Sequence, residues 1–522
     1  SGQYIYFTYN ADGQLTQEKQ HGQAVDYTYD LDGNLATMSA KGTTVTYTRN
    51  SLGELESLSD GTDTFGFSYD ANGMRQGITY PNGADTAYTI DGASRLTSLN
   101  SGLTQESYIY NKNGMITQKT VDSTVTNYSY DAAGRVSGYN YDSAGNILDN
   151  LASYNTQTNQ LNSTATHTYE YDAFGNISKK NLKADNSYKE YIWTVWNQLK
   201  SVESFDSGAV STKKISFTYG PMGRRLSKTV DGVIEKYLYS GQNMIAVMNN
   251  YSTLTHRIIH DERVDSPLSI TDASGNRYYY HKDYLGSVVG LSDSAGNSVE
   301  SYSYDTYGKT VKSSSVDTGN PFAFTSREMD DDDLYYYRAR YYDPTVGRFL
   351  SEDTLGFVSG DFNFYRYVLN NPVNNIDPHG YGFLKFVGFV AVGAVVAPVA
   401  GATAVTGAVV GGVAYTGYTL WNFFKKAGER MKRNIKRRQE IDSDLYGGNP
   451  DSDRIRRNTR EGLNEVRGAL KDGYNLPGTF VGGPVITGIE DVIVGGVNEI
   501  LVPNVYTPST TKKEPIKKTP CQ

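Results

Sequence analysis

A unit of about twenty residues repeats along this chain, and its internal order leaves few folds open. Tyr9, Tyr29, Arg49, Tyr69, Ile90, Tyr110 and Tyr130 each stand four residues before Gly13, Gly33, Gly53, Gly73, Ser94, Gly114 and Gly134. Degenerate copies continue at Tyr141 with Gly145, Tyr171 with Gly175, Tyr219 with Gly223 and Tyr304 with Gly308. Within a unit, a two-fold alternation such as Tyr27-Thr28-Tyr29 or Tyr169-Glu170-Tyr171 leads into an Asp/Asn-x-x-Gly turn. A second short strand such as Asn34-Leu35-Ala36-Thr37-Met38 follows. That order predicts a β-hairpin. Glycine serves where the turn needs positive φ, the preceding Asp or Asn accepts hydrogen bonds from turn amides, and the aromatic rings pack across strands. A hairpin that cannot bury its own face must stack on neighbours, so the run is expected to wind into a continuous sheet. An open β-solenoid is the plainer alternative, and a propeller fits less well because its blades need about forty residues each.

Composition agrees with strands and turns: 44 Tyr and 53 Gly stand in 522 residues, of which 20% are charged and 38% hydrophobic. A net charge of -8 gives no general attraction to phosphate backbones, so no nucleic acid is expected for the repeat region. The single cysteine, Cys521, excludes a disulfide framework and a cysteine metal cluster. The first residues, Ser1-Gly2-Gln3-Tyr4-Ile5-Tyr6, read as a strand and not as a signal peptide, so any targeting or delivery segment is expected upstream.

The units Tyr29-Asp30-Leu31-Asp32-Gly33-Asn34-Leu35 and Tyr130-Asp131-Ala132-Ala133-Gly134-Arg135-Val136 resemble the YD repeats of the Rhs and insecticidal-toxin class. Tyr278-Tyr279-Tyr280-His281-Lys282-Asp283-Tyr284-Leu285-Gly286-Ser287 is similar to the block that follows them. Tyr336-Tyr337-Arg338-Ala339-Arg340-Tyr341-Tyr342-Asp343-Pro344, continuing through Gly347-Arg348-Phe349-Leu350-Ser351, resembles the core motif. The resemblance covers residues 1–380 and implies a mainly β fold: a strip of hairpins spiralled into a hollow shell, residues 1–315, with an Rhs core plug, residues 316–381. It also implies a polymorphic toxin, secreted or delivered by contact through machinery such as type VI secretion. Its shell would enclose the chain's own C-terminal effector, and a dedicated immunity protein would accompany it.

The family pattern places two Asp-Pro-x-Gly elements around a Tyr-rich segment and cuts the chain just after the second by aspartate chemistry. Here Asp353-Thr354-Leu355-Gly356 has Thr in place of the first Pro, and Asp377-Pro378-His379-Gly380 is followed by Tyr381 instead of Leu. Two carboxylates held side by side share a proton, so one can activate water while the other protonates the leaving amine. The resemblance therefore nominates Asp353 and Asp377 as the pair, Arg348 as the residue that positions or tunes them, and Tyr381-Gly382 as the cut bond. Asp343, Pro344, Gly347, Pro378 and Gly380 complete the motif. Taken alone, such aspartates more often cap turns. The run Asp330-Asp331-Asp332-Asp333 has the carboxylate density of a calcium site, yet a contiguous acidic run on a loop is expected to be solvated. Neither a metal nor a cofactor is expected.

Composition changes after Gly380. Residues 386–424 contain no charge and are rich in Ala, Val and Gly, long enough for two membrane spans broken near Pro398, with Gly407 and Gly411 at GxxxG spacing. A buried apolar hairpin, or a chain lining the shell, is the equal alternative for residues 382–424. A basic helix follows, carrying Lys425, Lys426, Arg430, Lys432, Arg433, Lys436, Arg437 and Arg438, which suits a target-cell membrane; nucleic acid is its rival. Residues 425–522 are expected to form a partly helical effector, with one helix over residues 453–471. With no His after His379 and the sole Cys terminal, His-metal nucleases, His-dyad ribonucleases, zinc deaminases and Cys proteases are disfavoured, and Asp442, Asp444, Asp451, Asp453, Glu490 and Asp491 remain for carboxylate chemistry. Three functions stay open: a membrane-acting toxin, an enzymatic toxin whose apolar segment serves translocation, and a surface adhesin that binds carbohydrate.

Overall fold

The structure is a computed structural model that describes residues 5–220, 223–359, 361–382, 384–385, 409–410 and 413–414. The chain divides into two compact units, Ser1–Val395 and Val396–Gln522. In the second, the two strands Val409–Val410 and Val413–Ala414 pair antiparallel, so these four residues of the apolar stretch form a ladder and not helix. Among the described residues no helix is long and apolar enough to cross a membrane. The expected spans, the basic helix and the helix over 453–471 otherwise lie outside the described residues.

The first unit is built of antiparallel sheets whose strands follow one another in sequence order: thirteen strands from Tyr6–Tyr9 to Thr124–Asn127, then sixteen from Ser153–Tyr154 to Thr310–Ser314. Each predicted turn forms as its residues dictate. In one, the Asp30 carboxylate accepts the amides of Asp32 at 3.0 Å and Asn34 at 2.8 Å, while Gly33 turns back at φ +83. A β-bulge falls at the preceding tyrosine, where Thr28 pairs with Thr37 and Tyr29 with Leu35. The tyrosine does more than pack: its hydroxyl donates to a carbonyl of the neighbouring hairpin. Tyr29, Tyr69, Tyr110 and Tyr130 reach the carbonyls of Leu15, Leu55, Leu96 and Ile116 at 2.8, 3.0, 2.6 and 2.5 Å, so each of these four repeats is stitched to the one before it.

The two sheets also bind each other directly. Gln20 Nε2 donates to the Tyr239 carbonyl at 2.8 Å while the Tyr239 amide donates back to Gln20 Oε1 at 3.2 Å, and Tyr80 Oη donates to the Tyr280 carbonyl at 2.9 Å.

A third sheet of four short strands, Glu328–Asp331, Leu334–Tyr337, Arg340–Asp343 and Arg348–Phe349, is buried on both faces. Strand alternation divides its consecutive tyrosines between two hydrophobic clusters. Tyr335, Tyr337, Tyr342 and Phe349 join the cluster of residues 25–136 and 237–302. Leu334, Tyr336, Tyr341 and Leu350 join that of residues 161–217. The acidic run beside this sheet is not simply solvated: Asp330 pairs with the buried Arg225, Asp331 with Lys189 and Lys213, and Asp333 with Lys180 and Lys189. Those cations lie over a hundred residues upstream, which is why the sequence did not show the pairing.

Candidate functional site

Asp377 stands in a tight loop closed by a two-residue ladder, Asn375 opposite Lys385 and Ile376 opposite Leu384. Its carboxylate turns inward against its own backbone. Oδ1 accepts the amides of Gly380 at 2.8 Å and Tyr381 at 3.2 Å, and Oδ2 accepts that of Gly382 at 3.2 Å. The loop is gripped from outside at successive carbonyls. Pro378 accepts from Arg327 at 3.1 Å and from Arg338, His379 accepts from the Ala339 amide at 3.2 Å, and Gly380 accepts from Arg340 Nε at 2.5 Å. Gly380 takes φ +72, and a Cβ there would collide with the Tyr337 carbonyl, so the loop closes only with glycine at this position.

Asp353 forms the turn expected of its motif. Oδ1 accepts the Leu355 amide at 2.8 Å and its carbonyl accepts the Gly356 amide at 2.9 Å, so Thr354, which is exposed, occupies the family's proline position without breaking the turn.

The two aspartates meet through Arg340. Its Nη2 lies 3.2 Å from Asp353 Oδ2 and 3.1 Å from Asp377 Oδ2, its Nη1 donates to the Phe364 carbonyl at 3.1 Å, and its guanidinium stacks 3.6 Å above the Phe349 ring. The carboxylates flank one guanidinium nitrogen. One cation between two buried acids leaves a charge deficit. Burial pushes the Asp353 carboxyl up to about 6 against the pull of Arg340, with the Asp377 charge adding to the rise. Burial raises Asp377 as well, opposed by Arg340 and by the three amides it accepts. A cavity of about 20 Å3, lined in part by Asp353, Asp377, Arg340, Asn363, Arg366 and Gly382, adjoins the pair. It has room for one water molecule.

Arg348, nominated from sequence to tune the pair, is not at the site. Phe349 faces the Arg340 guanidinium, and alternation turns its neighbour Arg348 to the opposite side. There Arg348 lies 4.9 Å from the Tyr154 and Tyr365 rings and donates to the Asn159 carbonyl at 2.5 Å. Arg340, present in the motif but given no role, takes its place. Asp343 is also remote from the pair: Oδ2 pairs with Lys180 Nζ at 2.8 Å and Oδ1 accepts the Thr345 amide at 2.8 Å across Pro344. Gly347, in the same turn, leaves room for the Tyr307 ring.

The family model described as the teneurin YD-shell matches residues 104–373, just over half of the chain. A tRNA3(Ser)-specific nuclease, WapA of Bacillus spizizenii, is 30% identical over 281 residues, covering 51% of this chain and 11% of that protein. Double-stranded DNA deaminase toxin A of Burkholderia cenocepacia is 26% identical over 301 residues, 49% of this chain and 21% of that one. The match thus spans about a tenth to a fifth of these relatives' length. The crystal structure of TcdB2-TccC3-Cdc42 superposes with a TM-score of 0.55 at 18% identity over 73% of this chain and 24% of that one, a likeness of fold alone.

Proposed function

Because this chain belongs to the teneurin YD-shell family, we propose that its hairpin sheets are the carrier part of a delivered polymorphic toxin that cuts its own backbone between Tyr381 and Gly382. The observation that carries the reading is the contact of Asp377 Oδ2 with the amide nitrogen of Gly382, the nitrogen that must leave.

In the proposed reaction Asp353, ionised, takes a proton from the water as its oxygen attacks the Tyr381 carbonyl carbon. Asp377, in its carboxyl form, protonates the Gly382 nitrogen as the bond breaks. Arg340 holds both acids in place and pairs its charge with the ionised one. The domain scheme follows from this cut: carrier and core to residue 381, effector from residue 382.

The relatives support placing the toxic activity in the effector. Proteins named as a tRNA nuclease and as a DNA deaminase each resemble about half of this chain, which fits a common carrier part with differing activities carried outside it. Their names favour an enzymatic effector acting on nucleic acid over a membrane-acting one. The basic residues Lys425 to Arg438 suit a phosphate backbone, and the apolar residues 386–424 then serve entry into the target cell. An immunity protein that binds this effector is part of the same reading.

Intact mass of the denatured chain tests the cut. Wild type is expected as pieces of 381 and 141 residues, with Asp353→Asn and Asp377→Asn whole. A whole wild-type chain would sink the reading. Expression of residues 382–522 alone separates the effectors: growth arrest with degraded nucleic acid fits the enzyme, and depolarisation without it fits the membrane toxin.

A further inference from the structure

Hydrolysis of the Tyr381–Gly382 bond changes what the two aspartates face. The water oxygen bonds to the Tyr381 carbonyl carbon, the bond to the Gly382 nitrogen breaks, and at neutral pH the products are a Tyr381 carboxylate and a Gly382 ammonium. We propose that Asp377 and Asp353 then act as a binding site for this α-ammonium, so that the freed C-terminal piece stays docked by its own first residue. The inference rests on the self-cleavage reading.

The seat for the nitrogen exists before the cut, because the Gly382 amide already donates to Asp377 Oδ2 at 3.2 Å. Cleavage turns one neutral donor into a cation with three, at the same place. Charge favours it. Arg340 lies between both carboxylates, Arg366 near them is paired with Asp361 at 2.7 Å, and the Asp361 charge also acts on Asp353. The phenols of Tyr367 and Tyr381 also feel the pair and are neutral below their raised range, and Arg327 and Arg338, which share Asp265, hold the Pro378 carbonyl next to Asp377. The cut adds one carboxylate and one ammonium, and the ammonium forms where the Gly382 amide already meets Asp377 Oδ2. The ladder of Asn375 with Lys385 and Ile376 with Leu384 lies outside the severed bond and keeps Gly382 at the site. Two residue pairs make a weak anchor alone. An ion pair buried beside them makes a stronger one.

The test labels the self-cut native protein with limiting acetic anhydride over a pH series and measures acetylation of Gly382 by mass of the N-terminal peptide of the 141-residue piece. The same protein in denaturant is the reference. The expected result is labelling about tenfold or more slower than in denaturant at pH 7.5. Its pH midpoint should lie about one unit or more above the usual ~8 of an α-amine, because an ion pair favours the charged form. Labelling as fast as in denaturant overturns the proposal. So does slow labelling with an unchanged or lowered midpoint, the mark of burial without an ionic partner. Intact mass taken before labelling separates these from failure of the cleavage reading, in which the chain is whole and both fall together.

Discussion

Asp377 holds the nitrogen of Gly382 at 3.2 Å, five residues along its own chain, so this acid and the bond it is proposed to break are parts of one turn. A group so placed needs no substrate-binding step, since proximity is built into the backbone.

Arg340 is the first residue to change. Arg340→Lys keeps a charge but cannot reach both carboxylates and the Phe364 and Gly380 carbonyls together. Cleavage is expected to slow by about a hundredfold or more, read as accumulation of whole chain on a denaturing gel. Arg348→Lys, by contrast, should leave the cut intact, and loss of cutting there would count against the placement of Arg348.

Whole chain purified from the slowed Arg340→Lys protein gives a pH profile. Asp353, raised by burial and put at about 6 with Arg340 beside it, becomes an ionised base only as pH climbs through its raised range. The rate is expected to rise about tenfold per unit below pH 6, to level above it, and to fall where Asp377 gives up the proton it must donate. A rate that falls between pH 5 and 7 would assign Asp353 the other role.

The same shift makes a stability prediction. The folded-state value of Asp353 lies above its unfolded value, so the contribution is full below about pH 4 and is lost as pH rises through about 6. Asp353→Asn removes that loss and should stabilise the protein at pH 7 by on the order of 1–3 kcal/mol, measured by denaturant unfolding. Function here is expected to cost stability.

Gly380→Ala should block cutting while leaving the hairpin sheets folded. Strain at φ +72 and collision with the Tyr337 carbonyl would expel the loop, at a cost of about 2 kcal/mol or more. A cut Gly380→Ala chain with normal stability would refute the loop geometry.

Tyr69→Phe tests the stitches between repeats. It keeps the ring and removes the hydroxyl that donates to the Leu55 carbonyl, and is expected to cost about 0.5–1.5 kcal/mol. Tyr251→Phe, exposed at 87%, should cost nothing measurable.

The hairpins were legible because each carries its strand, turn and returning strand in about twenty adjacent residues. The same locality hid the tyrosine hydroxyls, whose acceptors lie fourteen residues back on the preceding hairpin. At the site, Asp353 and Asp377 could be read from their motif, since turn chemistry is local. The choice between Arg340 and Arg348 could not be, because it depends on which residues pair across the buried four-stranded sheet, Tyr342 opposite Phe349 and Asp343 opposite Arg348. The acidic run failed for a related reason: its lysines come from strands far upstream.

Strand order has a consequence for synthesis. Every strand of the two large sheets pairs with the strand made just before it, so hairpins can join the growing edge as the chain leaves the ribosome. Arg340 and the Asp377 loop are made after both large sheets, and the small sheet that carries Arg340 is buried against residues of both. The proposed scission would therefore have to wait for everything upstream to fold, and a full-length chain that misfolds there would keep residues 382–522 attached.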